Sequence, residues 1–401
     1  MLEQIIFRNF KSYKEETILS FIPADIKEHS EELIEKNDGY ELLPVAVLYG
    51  PNGGGKSNVL ESIVYLRSRI MRPIFLMQGK LKEKDNDEKT IYSEHTFKFD
   101  EHSNCMPTLF KLLFSVHGRR YFYELEVECD GKILHELLGV DQFEGENLYS
   151  LFERKGKDIS ISEELAIPKL DNINAYMPFL SYVKCNYDND VITDVVNWFD
   201  NICILDFNNP FRETYLKFFN NDKKKRMIVR LLNAMDINIS DILIDYTPQK
   251  TIKQVYTIRK VGKEQKRLKI EEESGGTRKL FSFLPELLTA LSSGSLVVAD
   301  ELDAKLHPKL LERIIRLFTD MDNNKRGAQL LMTSHDLVTM NLDVFRRDEI
   351  WFAASDDNFS SHLYSLVEFK MDKNSNIVQD YLTGRYGADP YFRQMVSFKE
   401  W

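Results

Sequence analysis

A glycine-rich segment between an apolar run and a predicted helix constrains this chain more than any other feature. Residues 45–49 (VAVLY) form a short continuous apolar run, which is typical of a strand buried on both faces. The run leads directly into residues 50–57 (GPNGGGKS), and apolar residues at helical spacing follow. A strand, a G-x-x-x-x-G-K-S loop and a helix in this order predict a phosphate-binding loop.

The residue types in this loop suit a nucleoside triphosphate. Glycines let backbone N–H groups turn toward phosphates, and a helix N-terminus adds partial positive charge. Lys56 is expected to reach the β- and γ-phosphates and to act in catalysis, and the hydroxyl of Ser57 is expected to bind Mg²⁺. The predicted nucleotide-binding residues here are Gly50, Asn52, Gly53, Gly54, Gly55, Lys56, Ser57 and Asn58.

Two further apolar runs end in candidate catalytic side chains. Residues 296–299 (LVVA) precede Asp300 and Glu301. Residues 330–333 (LLMT) precede Ser334 and His335. A strand that ends beside the phosphate loop would bring Asp300 to the Mg²⁺ shell. Glu301 is then the candidate general base for the attacking water. His335 is predicted to hydrogen-bond the γ-phosphate and that water.

A Ser-Gly-Gly turn lies upstream of the carboxylate strand. Ser274 is predicted to cap a helix that begins with Gly275 and Gly276, whose first amides would form a second anion site. One loop cannot enclose both ends of a triphosphate. We therefore expect a homo-oligomer, an ATP-sandwiched dimer or higher, in which the Ser274 loop of one protomer covers ATP held by Lys56 of its partner.

The order of these four motifs resembles that of the ABC-type ATPase superfamily. Residues 5–13 (IIFRNFKSY) are similar to the first strands of its SMC/RecF/OLD branch. Within that branch, residues 273–280 (ESGGTRKL), 300–308 (DELDAKLHP) and 381–388 (YLTGRYGA) resemble stand-alone prokaryotic ATPases of the RloA/AbiL type, which occur in phage-defence operons. The resemblance implies ATP and Mg²⁺ as ligands.

The same resemblance assigns a role to each of the candidate side chains. Asp300 would be the Mg²⁺-linked acid, Glu301 the catalytic glutamate and His335 the switch histidine. Ser274 would belong to the signature loop. The residues that flank the Ser-Gly-Gly turn differ from those of transporter ATPases. Glu273 stands where Leu is usual, and Thr277 stands where Gln or Glu is usual.

An α/β fold is expected, an ABC-type P-loop ATPase head with a mixed sheet and an antiparallel β lobe. Residues 1–149 would form the N-terminal lobe with the phosphate loop. Residues 150–245 are predicted to be a mostly helical insert. Residues 246–401 would form the C-terminal lobe with the signature, the Asp-Glu strand and the switch histidine.

The leading functional hypothesis is an ATP-dependent dimeric switch in anti-phage defence that controls a separate effector protein such as a nuclease. OLD relatives carry a nuclease domain after the ATPase, and residues 337–401 are too few for one, so we expect the nuclease on a partner chain. The alternative is a RecF-like DNA-binding ATPase in repair or recombination. Its candidate DNA contacts are residues 223–226 (KKKR) and 259–269 (RKVGKEQKRLK), the latter in a predicted hairpin.

Composition favours a cytoplasmic protein without membrane contact. Basic runs of this kind are usually solvated faces, and the formal charge of −10 favours that interpretation over a DNA-binding surface. DNA remains a possible ligand. The four cysteines are widely spaced, which fits a reducing compartment and indicates no disulfide or metal framework. No apolar run approaches the roughly 20 residues of a membrane helix, and no signal-peptide pattern opens the chain.

Overall fold

The computed structural model describes residues 1–35, 39–81, 95–141, 148–168, 170, 173–205, 218–219, 221–248, 252–371 and 376–388. The strands are β1 (Leu2–Arg8), β2 (Thr17–Ser20), β3 (Ile34–Glu35), β4 (Glu41–Leu42), β5 (Val45–Tyr49), β6 (Thr108–Val116), β7 (Arg119–Val127), β8 (Ile133–Asp141), β9 (Leu148–Lys155), β10 (Asp158–Ile161), β11 (Cys203–Leu205), β12 (Asp241–Tyr246), β13 (Ile252–Val261), β14 (Glu264–Lys269), β15 (Leu296–Ala299), β16 (Gln329–Thr333), β17 (Ile350–Ser355) and β18 (Ser361–Ser365). The helices are α1 (Lys56–Met77), α2 (Glu101–Asn104), α3 (Phe179–Asn186), α4 (Asp190–Asp200), α5 (Asp222–Ala234), α6 (Gly275–Ser293), α7 (Pro308–Thr319) and α8 (Ile377–Leu382).

A mixed six-stranded sheet forms the centre of the molecule. Its order is β11-β15-β16-β5-β17-β18. The first five strands run parallel, and β18 pairs antiparallel with β17. The carboxyl ends of β5, β15 and β16 therefore meet at one edge, where open α/β sheets bind ligands.

The apolar run of β5 is buried on both faces because it separates two hydrophobic cores. Val45, Val47 and Tyr49 pack in one core with buried side chains of α6 and α7. Ala46 and Leu48 pack in the other core with α1 and the antiparallel strands. This alternation follows from the pleat, in which successive side chains point to opposite faces.

A seven-stranded antiparallel sheet covers the α1 side, in the order β10-β9-β8-β7-β6-β1-β2. Strands β6, β7 and β8 alternate buried and partly exposed residues, as expected for a sheet with one face in the core. The predicted α/β class, with a mixed sheet and an antiparallel β lobe, is confirmed. A separate three-stranded sheet, β12-β13-β14, contributes Ile242 and Val255 to the core that also contains α5 and α6.

Residues 150–245, predicted to be a mostly helical insert, contain the helices α3, α4 and α5 together with several strands. Strands β9 and β10 extend the antiparallel sheet, and β11 adds a parallel edge strand to the central sheet. Helices α3 and α4 pack in the same core as α1, through side chains such as Phe179 and Phe199. The apolar faces of these short helices are buried against α1 and the sheet, so they do not form a lobe of their own. Residues 206–217 and 220 lie outside the described part of the chain.

A buried carboxylate joins α3 to the antiparallel sheet. Glu136 of β8 accepts hydrogen bonds from the N–H groups of Phe179 (2.5 Å) and Leu180 (3.0 Å) and from the hydroxyl of Tyr123 (2.9 Å). It thereby satisfies two of the N–H groups that a helix start leaves unpaired. Burial raises the pKa of Glu136.

Across the described residues, no helix combines the length and apolar character needed to span a membrane.

Candidate nucleotide site

The predicted phosphate loop lies at the carboxyl end of β5 and leads into α1, whose first residue is Lys56. The loop packs closely against the end of β17. Gly50 has a φ of 145°, and a Cβ at this position would lie 2.1 Å from the carbonyl oxygen of Ala353. A Cβ on Gly54 would lie 2.5 Å from the same oxygen. These positions therefore accept only glycine without movement of the backbone.

A second group of contacts supports the loop from the antiparallel sheet. The side-chain amide of Asn58 donates to Ser12 Oγ at 2.7 Å, and Ser361 Oγ donates to the same oxygen at 2.7 Å. The hydroxyl of Tyr13 donates to the carbonyl of Gly55 at 3.3 Å. Sequence reasoning did not identify Ser12 or Ser361 as part of the site, because neither lies in a phosphate-loop pattern.

Lys56 is buried at the mouth of the loop. Its Nζ donates to the carbonyl oxygens of Gly50 (2.8 Å) and Pro51 (3.0 Å). Burial lowers the pKa of Lys56, and the neighbouring carboxylates of Asp300 and Glu301 counteract this. The ammonium group is therefore held beside both predicted acids.

One hydroxyl group bonds the Asp300 carboxylate and the backbone of Glu301. Thr333, the last residue of β16, is buried; its Oγ1 donates to Asp300 Oδ1 at 2.6 Å and accepts from the N–H of Glu301 at 2.7 Å. Glu301 has a φ of 49°, in the left-handed region. A residue other than glycine in this region is strained and must be held by its surroundings. Thr333 is a third site residue that sequence reasoning did not identify.

These groups surround one cavity of about 260 Å³. Of the predicted residues, Gly50 and Gly54 support the loop from behind rather than line the cavity. His335 is exposed at the rim, and its backbone N–H donates to Asp303 Oδ2 at 3.1 Å. The lining comprises Pro51, Asn52, Gly53, Gly55, Lys56, Ser57, Asn58, Asp300, Glu301, Thr333 and His335.

The chemistry of this lining fits a magnesium nucleotide. Ser57 and Asp300 offer a hydroxyl and a carboxylate oxygen on the same cavity, and Mg²⁺ prefers such hard oxygen ligands. No cluster of three or more metal-binding side chains occurs in the part of the chain that the structure describes. One or two protein oxygens are sufficient, because Mg²⁺ in nucleotide sites keeps waters and takes phosphate oxygens.

The Ser-Gly-Gly turn lies apart from this cavity. Ser274 is exposed and caps α6, accepting a hydrogen bond from the N–H of Thr277 at 3.1 Å. Gly275 and Gly276 form the first turn of α6, as expected. None of the three motif residues lines the cavity that contains Lys56.

Helix α6 is nevertheless tied to the catalytic strand. Lys279 is buried, and its Nζ donates to the carbonyl oxygens of Glu301 (2.7 Å), Leu302 (3.0 Å) and Ala304 (2.9 Å). A Cβ on Gly276 would lie 2.9 Å from the carbonyl oxygen of Lys305. The signature helix is therefore joined directly to Glu301 and the segment that follows it.

A family model matches residues 45–341, from β5 through the turn after His335. Its description reads "AAA domain, putative AbiEii toxin, Type IV TA system". The chain belongs to this family. It is accordingly an ATPase of the ABC/AAA type, and the matched segment contains every predicted site residue.

Solved structures similar to this chain include three SMC heads. An SmcHead bound to the C-winged helix domain of ScpA has a TM-score of 0.49 at 15% identity, covering 91% of this chain and 97% of its own. The SMC head domain from Thermotoga maritima has a TM-score of 0.45 at 15% identity, covering 91% and 98%. The Smc head domain with an extended coiled coil, bound to the C-terminal domain of ScpA derived from Pyrococcus furiosus, has a TM-score of 0.41 at 13% identity, covering 91% and 96%. No protein with a curated description matches the chain.

Proposed function

We propose that this protein binds and hydrolyses ATP and that hydrolysis operates an ATP-dependent dimeric switch. The observation that carries the proposal is the convergence of Lys56, Asp300, Glu301 and His335 on one cavity at the carboxyl ends of parallel strands. These residues come from segments almost 300 positions apart. Their chemistry, an ammonium, two carboxylates and an imidazole, is that of phosphoryl transfer to water.

Each side chain has a role that its surroundings support. Lys56 binds the β- and γ-phosphates, and Ser57 and Asp300 hold Mg²⁺, which when bound neutralises developing charge on the phosphates. Glu301 accepts a proton from the attacking water, with its backbone held by Thr333. His335 contacts the γ-phosphate from the rim of the cavity.

Dimerisation completes the site in this proposal. The Ser274 turn is exposed and presents the N-terminus of α6, a long helix, away from the cavity of its own protomer. A helix N-terminus attracts phosphate. The Ser274 turn of the partner protomer would therefore cover the open side of the bound ATP.

We further propose that the switch controls a separate effector, such as a nuclease, in anti-phage defence. Two observations support this biological setting. The matched family carries a toxin of a toxin–antitoxin system in its description. Residues 300–308 and 381–388 resemble RloA/AbiL-type defence ATPases.

A DNA-dependent ATPase is the second candidate, and the β13–β14 hairpin favours it. The exposed strand β14 (EQKRLK) carries Lys266 and Arg267. On β13, Arg259 forms an ion pair with Glu273 at 2.8 Å, next to the Ser274 turn. DNA bound to this hairpin would therefore act on the signature turn directly.

The test measures molecular mass and ATP turnover of the wild type, Glu301→Gln and Lys56→Ala, each with and without ATP and DNA. Glu301→Gln should bind ATP, remain dimeric in its presence and lose nearly all turnover. Lys56→Ala should lose nucleotide affinity. Glu312→Gln, a change at a half-exposed residue of α7 outside the cavity lining, is the matched control and should behave as the wild type.

Each outcome has a defined meaning. Wild-type turnover in Glu301→Gln would refute the general-base role, and wild-type ATP affinity in Lys56→Ala would refute the phosphate site. A monomer under all conditions would refute the dimeric switch. Turnover that rises steeply with DNA and falls with salt would favour the DNA-dependent candidate.

A further inference from the structure

A second cavity, of about 390 Å³, adjoins the phosphate loop on its antiparallel-sheet side. The boundary between the two cavities is the Ser12–Ser361 pair. Ser361 lies against Gly55, where a Cβ would be 2.5 Å from Ser361 Oγ, and its sequence neighbours Ser360 and His362 line the second cavity. On the other side of the boundary, Ser12 contacts Asn58, which lines the first cavity.

Two exposed aromatic rings stand together at this second cavity. Phe99 and Phe359 come from distant segments, yet their ring centroids are 4.9 Å apart and their planes are inclined by 27°. Phe99 is 65% exposed and Phe359 61% exposed. Stacked rings that remain this open to water gain little from the hydrophobic effect within the protomer.

The backbone conformation of Phe359 adds to this cost. Its φ is 61°, in the left-handed region that residues other than glycine rarely adopt. A bulky residue in this conformation is an outlier that commonly marks a ligand clamp or active site. The turn is held by Asp356, whose carboxylate accepts the N–H groups of Asn358 and Ser360 at 2.9 Å each.

A buried polar atom also faces the cavity. Ser360 is 4% exposed, and its Oγ makes no hydrogen bond to any residue in the described part of the chain. Buried hydroxyl groups almost always have a partner, because an unpaired one costs the full price of desolvation. Ser360 lines the cavity, so a ligand there can be that partner.

We propose that Phe99, Phe359 and Ser360 form the nucleobase subsite of the ATP bound by the phosphate loop. The inference rests on the proposed ATP site and extends it to the recognition of the base. The purine stacks on Phe99, which lines the cavity, while Phe359 packs on Phe99 and holds its ring in place. The hydroxyl of Ser360 pairs with a polar atom on the edge of the base or on the ribose.

Three features favour a nucleobase over another occupant. Aromatic side chains stack on bases through π-faces, and purines offer the larger face. The lining of the cavity is polar and offers both donors and acceptors to the edge of a heterocycle: Lys14, Asn358 and His362 stand there with the carboxylates of Glu15, Asp100 and Asp356. The third feature is proximity, because Ser361, which lies between two residues that line this cavity, contacts Gly55 of the loop that would bind the phosphates.

The experiment compares the affinities of ATP, CTP and inorganic tripolyphosphate by titration calorimetry. Tripolyphosphate contains the phosphates without the base, so it reports on the phosphate loop alone. Phe99→Ala/Phe359→Ala should bind ATP about 10-fold more weakly or worse, lose the preference for ATP over CTP, and bind tripolyphosphate as the wild type does. Ser360→Ala should lower the affinity for ATP several-fold, as expected for the loss of about one hydrogen bond, and should leave the affinity for tripolyphosphate unchanged.

Two further comparisons separate stacking from loss of structure. Phe99→Tyr and Phe359→Tyr keep the aromatic faces and should restore ATP affinity. Tyr149→Ala removes an exposed aromatic ring on β9 and should leave all three affinities unchanged.

The outcomes distinguish this inference from the function on which it rests. Lys56→Ala should weaken the binding of both ATP and tripolyphosphate, and normal affinity for both would refute the ATP site itself. If Lys56→Ala weakens both while Phe99→Ala/Phe359→Ala binds ATP normally, only the nucleobase subsite is refuted. Equal weakening of ATP and tripolyphosphate in the double variant would likewise refute a base-specific role.

Discussion

Replacing Thr333 by valine tests how the two catalytic carboxylates are positioned. Valine has nearly the shape of threonine but lacks the hydroxyl that bonds both Asp300 and the N–H of Glu301. The N–H of Glu301 then has no partner, at a cost of about 1–3 kcal/mol. Asp300 is exposed, so water replaces most of its lost bond. We expect the free energy of unfolding to fall by about 2 kcal/mol.

The effect on catalysis should be larger than the effect on binding. Without Thr333, the left-handed backbone of Glu301 loses a hydrogen bond that holds it, and the carboxylate shifts. A displacement of about 1 Å at a reacting group costs on the order of 100-fold in rate. We therefore expect kcat to fall by about 10- to 100-fold. ATP affinity should change little, because Thr333 makes no hydrogen bond to the phosphate loop among the described residues.

The assay combines steady-state ATP turnover with urea unfolding of three variants. Thr333→Ser keeps the hydroxyl and should keep most of the turnover despite the lost methyl group. Thr108→Val is the matched control, since it removes a buried hydroxyl that donates to the carbonyl of Asn9 at 2.7 Å, and neither residue lines the cavity. It should lower stability and leave kcat unchanged. Wild-type kcat in Thr333→Val, or an equal loss in Thr108→Val, would refute the positioning role.

Three further changes test other parts of the structure. Gly50→Ala places a Cβ 2.1 Å from the carbonyl oxygen of Ala353, so calorimetry should show ATP binding lost or greatly weakened, and normal affinity would contradict the packing. Lys279→Met leaves three carbonyl groups without their donor and should lower the free energy of unfolding by about 2–4 kcal/mol in urea, whereas the exposed Arg278→Met should change it by less than about 0.5 kcal/mol. Burial raises the pKa of Glu136 above its ordinary value of 4.5. Above about pH 4.5 the folded protein therefore keeps a proton on this carboxyl that the unfolded chain has lost. The contribution of Glu136 to the free energy of unfolding should fall as the pH rises through this range. Unfolding curves of Glu136→Gln at several pH values should lack that slope, and an unchanged slope would contradict the assignment.

The sequence alone predicts the features that contiguous residues encode. The apolar run of β5, the glycine pattern of residues 50–57 and the helical spacing after it predict strand, loop and helix at the observed places. The turn at Gly262 likewise predicts the β13–β14 hairpin. In each case the local backbone preference and the hydrophobic period agree, so no distant information is needed.

The boundaries of the insert could not be predicted in the same way. Residues 150–245 contain helical segments, but whether they form a lobe depends on what covers their apolar faces. Strand β11 is only three residues long and joins the central sheet through pairing with β15, which lies some 90 positions later. Such a short strand has no periodicity to read, and only its pairing partner makes it part of the sheet.

The same distinction holds within the candidate site. The order and chemistry of the motifs, from Lys56 to His335, are a property of the sequence, because each motif is a short run with its own pattern. Tertiary structure decided that Thr333 bonds both the Asp300 carboxylate and the backbone N–H of Glu301, that Ser12 meets Ser361, and that Ser274 lies outside the lining of its own protomer's cavity. These contacts join residues far apart in the chain, so they depend on how sheets and helices pack rather than on any local preference.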